Sequence, residues 1–156
     1  MKNAPLNPAH DLARYYEKVA AQIHTLVQPL SDDDIWQRPY PYGNSIGHLL
    51  LHLTGNLNYY IGAQIAATGY VRNRDLEFTD ASRRPKATVL QDFTRAIAMV
   101  KGTLVRQSGE DWGAFYTAKG MEDAENRFTV FLRCAAHLQH HAAQMIYLTK
   151  EIARQK

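Results

Sequence analysis

Four long stretches of this chain repeat apolar residues at three- and four-residue steps, and no stretch alternates them in twos between hairpin turns. A period near 3.6 draws a stripe along a helix, whereas strands need a period of two. The first stretch runs from about Asn7 to Leu30, with Leu12, Tyr15 or Tyr16, Val19, Ile23, Leu26 or Val27, and Leu30 on one face. "SDDD" and the prolines of "WQRPYPYGN" end it. A second helix is predicted from an Asn44 or Ser45 cap to about Gly69, with Ile46, Leu49, Leu50, Leu53, Leu57, Ile61 and Ile65 facing inward. A polar connection follows through about Arg84. Pro85 suits the first turn of a third helix that reaches about Gln107, with Val89, Leu90, Phe93, Ile97, Val100 and Leu104 as its stripe. The last helix covers about Arg127 to Arg154.

Four such helices in 156 residues predict an all-α four-helix bundle, one domain over residues 1–156. The three connections, of about 15 residues each, exceed the usual bundle loop of about 2–8. They allow crossovers, so simple up-down order is not assured, and they offer material to cap one end of the bundle around a pocket.

Composition narrows the function. No apolar run is long enough to span a bilayer, and the N-terminal residues lack the apolar core of a secretory signal. Cys134 is the single cysteine, which fits a reducing, cytoplasmic setting. The net charge of +3 arises from interspersed residues. Even the densest patch, "VRNRDLEFTDASRRPK", mixes three acidic with five basic residues, so nucleic-acid binding is not expected.

The histidines are the chemical feature. Of seven, His137 and His141 stand four apart on the last helix, and His48 and His52 repeat that spacing on the second. Residues four apart share a helix face, and two imidazoles so placed can grip one divalent ion. His52 falls beside the inward stripe of Leu49 and Leu53, while His137 and His141 continue the face of Val130 and Cys134. Inward imidazoles need compensation, which a metal ion supplies. A hydrogen-bonded core histidine is the plain alternative, and the unpaired His10 and His24 are read that way. His48 stands as an optional fourth ligand, and His140 as flanking. Cys134, three residues before His137, is read as packing rather than as a nucleophile. No His-Glu-x-x-His element, phosphate-binding glycine loop or dinucleotide fingerprint is present.

"DDIWQRPYPYGNSIGHLLLHLTGN" together with "CAAHLQHHAAQM" resembles the DinB superfamily over nearly the whole chain. The resemblance implies a bundle of non-simple topology, a three-histidine metal site and frequent homodimers. By position, the family's helix-two ligand falls on His52 and its last-helix pair on His137 and His141. His48 stands where relatives often carry a non-ligand residue, and His140 matches an often-seen extra histidine. The cofactor expected is a divalent ion, zinc or nickel foremost. The implied chemistry is small-thiol S-transfer or a related hydrolysis, on a small-molecule thiol or electrophilic substrate. The competing expectation is a non-catalytic bundle with a structural metal, or a stress-associated interaction module. Trp36, Tyr40 and Tyr42 are candidates for the pocket mouth, Arg38 and Arg74 for holding a carboxylate, and Asn56 and Gln144 for orienting ligands. Tyr59, Tyr60 and Phe93 are candidates for a dimer surface.

Overall fold

A computed structural model describes residues 6–156. Helix α1 spans Pro8–Val27, and Asn7 caps it by accepting the His10 amide on its side chain. Tyr16, Val19, Ile23 and Val27 form its buried face. A short helix α2, Asp32–Trp36, follows a capping box of Ser31 and Asp34. Helix α3, Ile46–Leu57, starts on Ser45, whose hydroxyl accepts the His48 amide. The chain continues through a π-helical turn, Asn58–Ala63. Then come α4 (Leu76–Thr79), α5 (Lys86–Leu104) and α6 (Arg127–Arg154). Among the described residues the β-structure is confined to one isolated bridge, Phe115 with Asn126. No helix there is long and apolar enough to cross a membrane.

Four long helices therefore form the bundle, and α6 has the predicted limits. The second helix does not run to Gly69. Its regular hydrogen bonding stops at Leu57, the π turn carries it to Ala63, and left-handed residues Ala67 and Gly69 turn the chain away. Pro85 is the N-cap of α5 rather than a residue of its first turn, and α5 ends at Leu104, short of Gln107.

Neighbour relations set the topology. Helix α1 packs on α5 and α6, and α3 packs on the same two. The ring order is thus α1–α5–α3–α6, so the first and second long helices lie diagonally, as do the third and fourth. An up-down-up-down bundle would make them adjacent. Diagonal steps need long connections, which is why the first and third are long. They are also packed: Trp36 of the first, and Tyr116, Met121 and Ala124 of the third, are buried.

Helix α3 is buried on nearly every side rather than along one stripe, Ile46 through Leu53 without a break. Helices α5 and α6 flank it, and α2 and α4 cover the rest. Its start shows why glycine follows Ile46: a Cβ at Gly47 would lie 2.6 Å from the Trp36 ring. Phe93 is wholly buried and Tyr60 nearly so, which removes both from any dimer surface.

Candidate metal centre

Helix α3 supplies His52, and α6 supplies His137 and His141 from one face. The three rings meet. His52 Nε2 lies 3.1 Å from His137 Nε2, which lies 3.0 Å from His141 Nε2. Three nitrogens bound tetrahedrally at 2.0–2.1 Å stand about 3.3–3.4 Å apart, so little movement separates this set from ligation. His52 is buried and the other two are half-buried.

The far side of each ring decides which nitrogen carries the proton. His52 Nδ1 lies 2.8 Å from Oε2 of Glu77, which is itself buried. An ionised carboxylate only accepts, so Nδ1 holds the proton and Nε2 presents a lone pair. Arg72 grips Glu77 from the other side, Nε to Oε1 at 2.7 Å and Nη2 to Oε2 at 2.8 Å. Burial raises the Glu77 pKa, but the hydrogen bonds from His52 and Arg72 outweigh it and hold the carboxyl below its usual range. His141 Nδ1 donates to Oε1 of Gln144 at 2.8 Å, and Gln144 Nε2 donates in turn to His140 Nε2 at 3.1 Å. His141 therefore also turns a bare Nε2 toward His137.

His137 sits between two lone pairs and has at most one proton to offer on Nε2. A cation at the meeting point satisfies all three nitrogens, and neutral imidazole is the ligating form. The site favours that form. Burial first, then the neighbouring His141 and His52, pushes the His137 pKa down to about 3. Burial likewise lowers His141 to about 4. His137 Nδ1 is buried without a hydrogen-bond partner, so the only polar contacts of its ring are those of Nε2 within the trio.

The other candidates divide. His48 does not join the trio: its Nδ1 meets the Ser45 hydroxyl at 2.6 Å and its Nε2 the Asp80 carbonyl at 3.1 Å. A carbonyl only accepts, so His48 donates through Nε2, and both ring nitrogens are used. Trp36 is buried edge-on against His48, with Nε1 donating to the Arg84 carbonyl, and lines a cavity with His48 and Arg38 rather than the cleft beside the trio. Tyr40 and Tyr42 stack and line a separate cavity of about 430 Å³ with Gln144 and Tyr147. Arg38 donates to the Phe78 carbonyl and stands beside His48, away from the trio. Cys134 is wholly buried, and burial pushes its thiol up to about 12, which excludes it as a nucleophile. Gln144 does orient a trio member, while Asn56 makes no side-chain hydrogen bond.

Glu77 and Arg72 are the functional residues that sequence reasoning missed. They lie in the connection between α3 and α5, where the only signal was a mixed-charge patch. A buried carboxylate on the outer nitrogen of a histidine is the usual support of a metal ligand.

Beside His52 and His137 a cleft of about 260 Å³ opens, walled by Arg72, Arg74 and Arg133.

Residues 15–145 match the family model of the DinB superfamily. A solved structure, described as the crystal structure of the conserved protein of locus from Enterococcus faecalis, is similar with a TM-score of 0.77. The likeness covers 95% of this chain and 98% of that one at 12% identity, and so speaks for the fold alone. No curated protein matches. The matched span contains α3, the connection bearing Glu77, and both histidines of α6. By that match, and by the fold and three-histidine cluster that accompany it, the chain belongs to the DinB superfamily.

Proposed function

We propose that this chain is a divalent-metal enzyme of small-thiol S-transfer or a related hydrolysis, with zinc or nickel on Nε2 of His52, His137 and His141. When bound, such an ion supplies the Lewis acidity that makes a thiol or water nucleophilic at neutral pH. The chain's own part is positioning. Glu77 holds the His52 proton on Nδ1, Arg72 holds Glu77, and Gln144 holds the His141 proton on Nδ1. The cleft admits a small molecule to the trio from the His52 and His137 side.

The observation that carries this reading is the pair of outward Nδ1 contacts, His52 to Glu77 at 2.8 Å and His141 to Gln144 at 2.8 Å. Two Nδ1 protons are committed outward, so two lone pairs aim at one point. The competing reading, a structural metal in a non-catalytic bundle, expects a fourth protein ligand. His48 spends both nitrogens elsewhere, which favours catalysis. The test is metal content and affinity of purified protein against His52→Ala and His141→Ala. Stoichiometric metal in the wild type and its loss in both variants is expected; equal binding in all three would discard the ligand set. Thiol-transfer turnover is expected to stop with chelator and return with zinc or nickel. Turnover that ignores chelator would discard the mechanism.

A further inference from the structure

Helix α4 carries Glu77, yet it is a single turn with a poor apolar anchor. Leu76 is 55% exposed and Phe78 only half-buried, so Glu77 is its one buried side chain. So short a helix has no stability of its own, and burying a carboxylate costs free energy. The turn is therefore placed by contacts made to it from outside. Arg72 clamps Glu77 and lies over the Tyr60 ring, which fixes the side of α4 where the chain enters. The side where it leaves needs a hold of its own. A slide of about 1 Å there takes a hydrogen bond such as the 2.8 Å contact of His52 with Glu77 past its working range.

Two side chains reach the carbonyls that the end of α4 leaves without a partner inside the helix. Arg38 donates to the Phe78 carbonyl at 3.1 Å, and His48 Nε2 to the Asp80 carbonyl at 3.1 Å. Arg38 is exposed, whereas His48 is 7% exposed, so the histidine makes the bond that water competes for least. Its ring has one orientation. The Ser45 hydroxyl accepts the His48 amide at 3.1 Å and lies 2.6 Å from Nδ1, to which it donates, and the Trp36 ring packs edge-on at 5.2 Å. His48 and His52 stand one turn apart on α3, and the groups they hold, Asp80 and Glu77, stand three residues apart at α4. Two imidazoles of one helix thus grip two points of one short segment.

We infer that His48 is a positioning residue: its bond to the Asp80 carbonyl holds α4 where the Glu77 carboxylate meets His52 Nδ1. The inference rests on the reading of His52 as a metal ligand and gives a role to the histidine that the trio leaves out. His48 touches neither the three converging nitrogens nor the cleft beside them, so whatever it does for the centre passes through Glu77.

The test compares His48→Leu, which loses the donor, with His48→Gln, whose amide can still donate to the Asp80 carbonyl. Circular dichroism checks that each is folded, and His48→Phe, which keeps a ring beside Trp36, replaces His48→Leu if that protein does not fold. Two quantities are read. The first, on metal-free protein, is the proton NMR signal of the His52 Nδ1 hydrogen, identified by its loss in His52→Ala. The second is zinc affinity by competition against a chelating dye. His48→Leu is expected to lose the signal to exchange and to bind zinc about tenfold more weakly, the lower end of the range for an outer partner of a ligating histidine. His48→Gln is expected to keep both. In a Glu77→Gln background His48→Leu is expected to cost no further affinity, because the two changes remove one interaction. A His48→Leu protein with the wild-type signal and zinc affinity would overturn the inference and leave the metal reading intact. An equal loss of affinity with and without Glu77 would overturn it too, since His48 would then act by another route. If wild type takes up no zinc while the signal is lost in His48→Leu and kept in His48→Gln, the metal reading falls and the hold of His48 on Glu77 stands.

Discussion

Glu77 lies twenty-five residues along the chain from the imidazole it holds, and no helical spacing connects the two. His137 and His141 were legible in the sequence because a helix converts spacing directly into geometry, and His52 because it falls beside the inward stripe of its own helix and at the family's helix-two position. Glu77 was not, because its position depends on how an irregular connection packs on α3. His48 was ambiguous for another reason. Spacing places it on the flank of His52, but only Ser45 and Asp80 determine where its nitrogens point. The residue-scale prediction follows from the Glu77 contact. Glu77→Gln keeps an oxygen that can accept from Nδ1 but loses the negative charge and the Arg72 clamp. Metal affinity is expected to fall by about 10–100-fold, as for other outer-nitrogen partners of ligating histidines. Gln144→Ala is expected to shift it in the same direction by less, since its partner oxygen is neutral. Competition against a chelating dye measures both, and an unchanged affinity in Glu77→Gln would remove Glu77 from the site.

Elements explain why α3 carries the centre and why its end was misread. The apolar run from Ile46 through Ile65 has helical spacing throughout, so periodicity alone extends the helix to Gly69. The structure instead widens it at Asn58, where the Gln64 amide reaches back five residues to the Tyr59 carbonyl. The third connection packs here: the Tyr116 hydroxyl donates to the Tyr60 carbonyl, and the Tyr60 hydroxyl to that of Lys119. Pattern cannot report such contacts, because they come from a segment more than fifty residues away. Gly55 makes the same point with an opposite sign. In an isolated helix Gly→Ala gains about 1 kcal/mol. Here a Cβ at Gly55 would overlap Oε1 of Glu77, whose carboxyl passes against the α3 backbone to reach His52. Gly55→Ala is therefore expected to destabilise the fold by about 1–3 kcal/mol, as overpacking does, and to weaken metal binding toward the level of Glu77→Gln. Adding Glu77→Ala should return most of the stability, because the two changes share one space. Urea midpoints of the single and double variants decide it; a stabilised Gly55→Ala would show that Glu77 does not need that gap.

Across the whole molecule, the ring order α1–α5–α3–α6 puts the first connection on a diagonal, and the bundle must hold that crossing in place. Asp34 does much of this. It accepts the Ser31 amide at 2.8 Å within the capping box and the Lys156 ammonium at 2.6 Å, tying α2 to the far end of α6. The Lys156 hydrogen bond foremost, then the Ser31 amide, lowers the Asp34 pKa to about 2. An unfolded chain would titrate this group near about 3.9. The folded state therefore binds fewer protons than the unfolded state between those values, and unfolding takes one up. The stabilisation is complete above about pH 4 and is lost as the pH falls through about 2. Asp34→Asn removes the charge at every pH. Its stability at neutral pH is expected to be lower by about 1 kcal/mol, on the scale of a weakened cap. The two proteins should then converge as the solution is acidified, because the wild-type carboxyl becomes neutral too. Urea unfolding at neutral pH, near pH 4 and near pH 2 tests this directly. Curves that stay parallel through the acid range would mean that the Asp34 charge does not hold α2 to the end of α6, and that Trp36 and its neighbours secure the diagonal by packing alone.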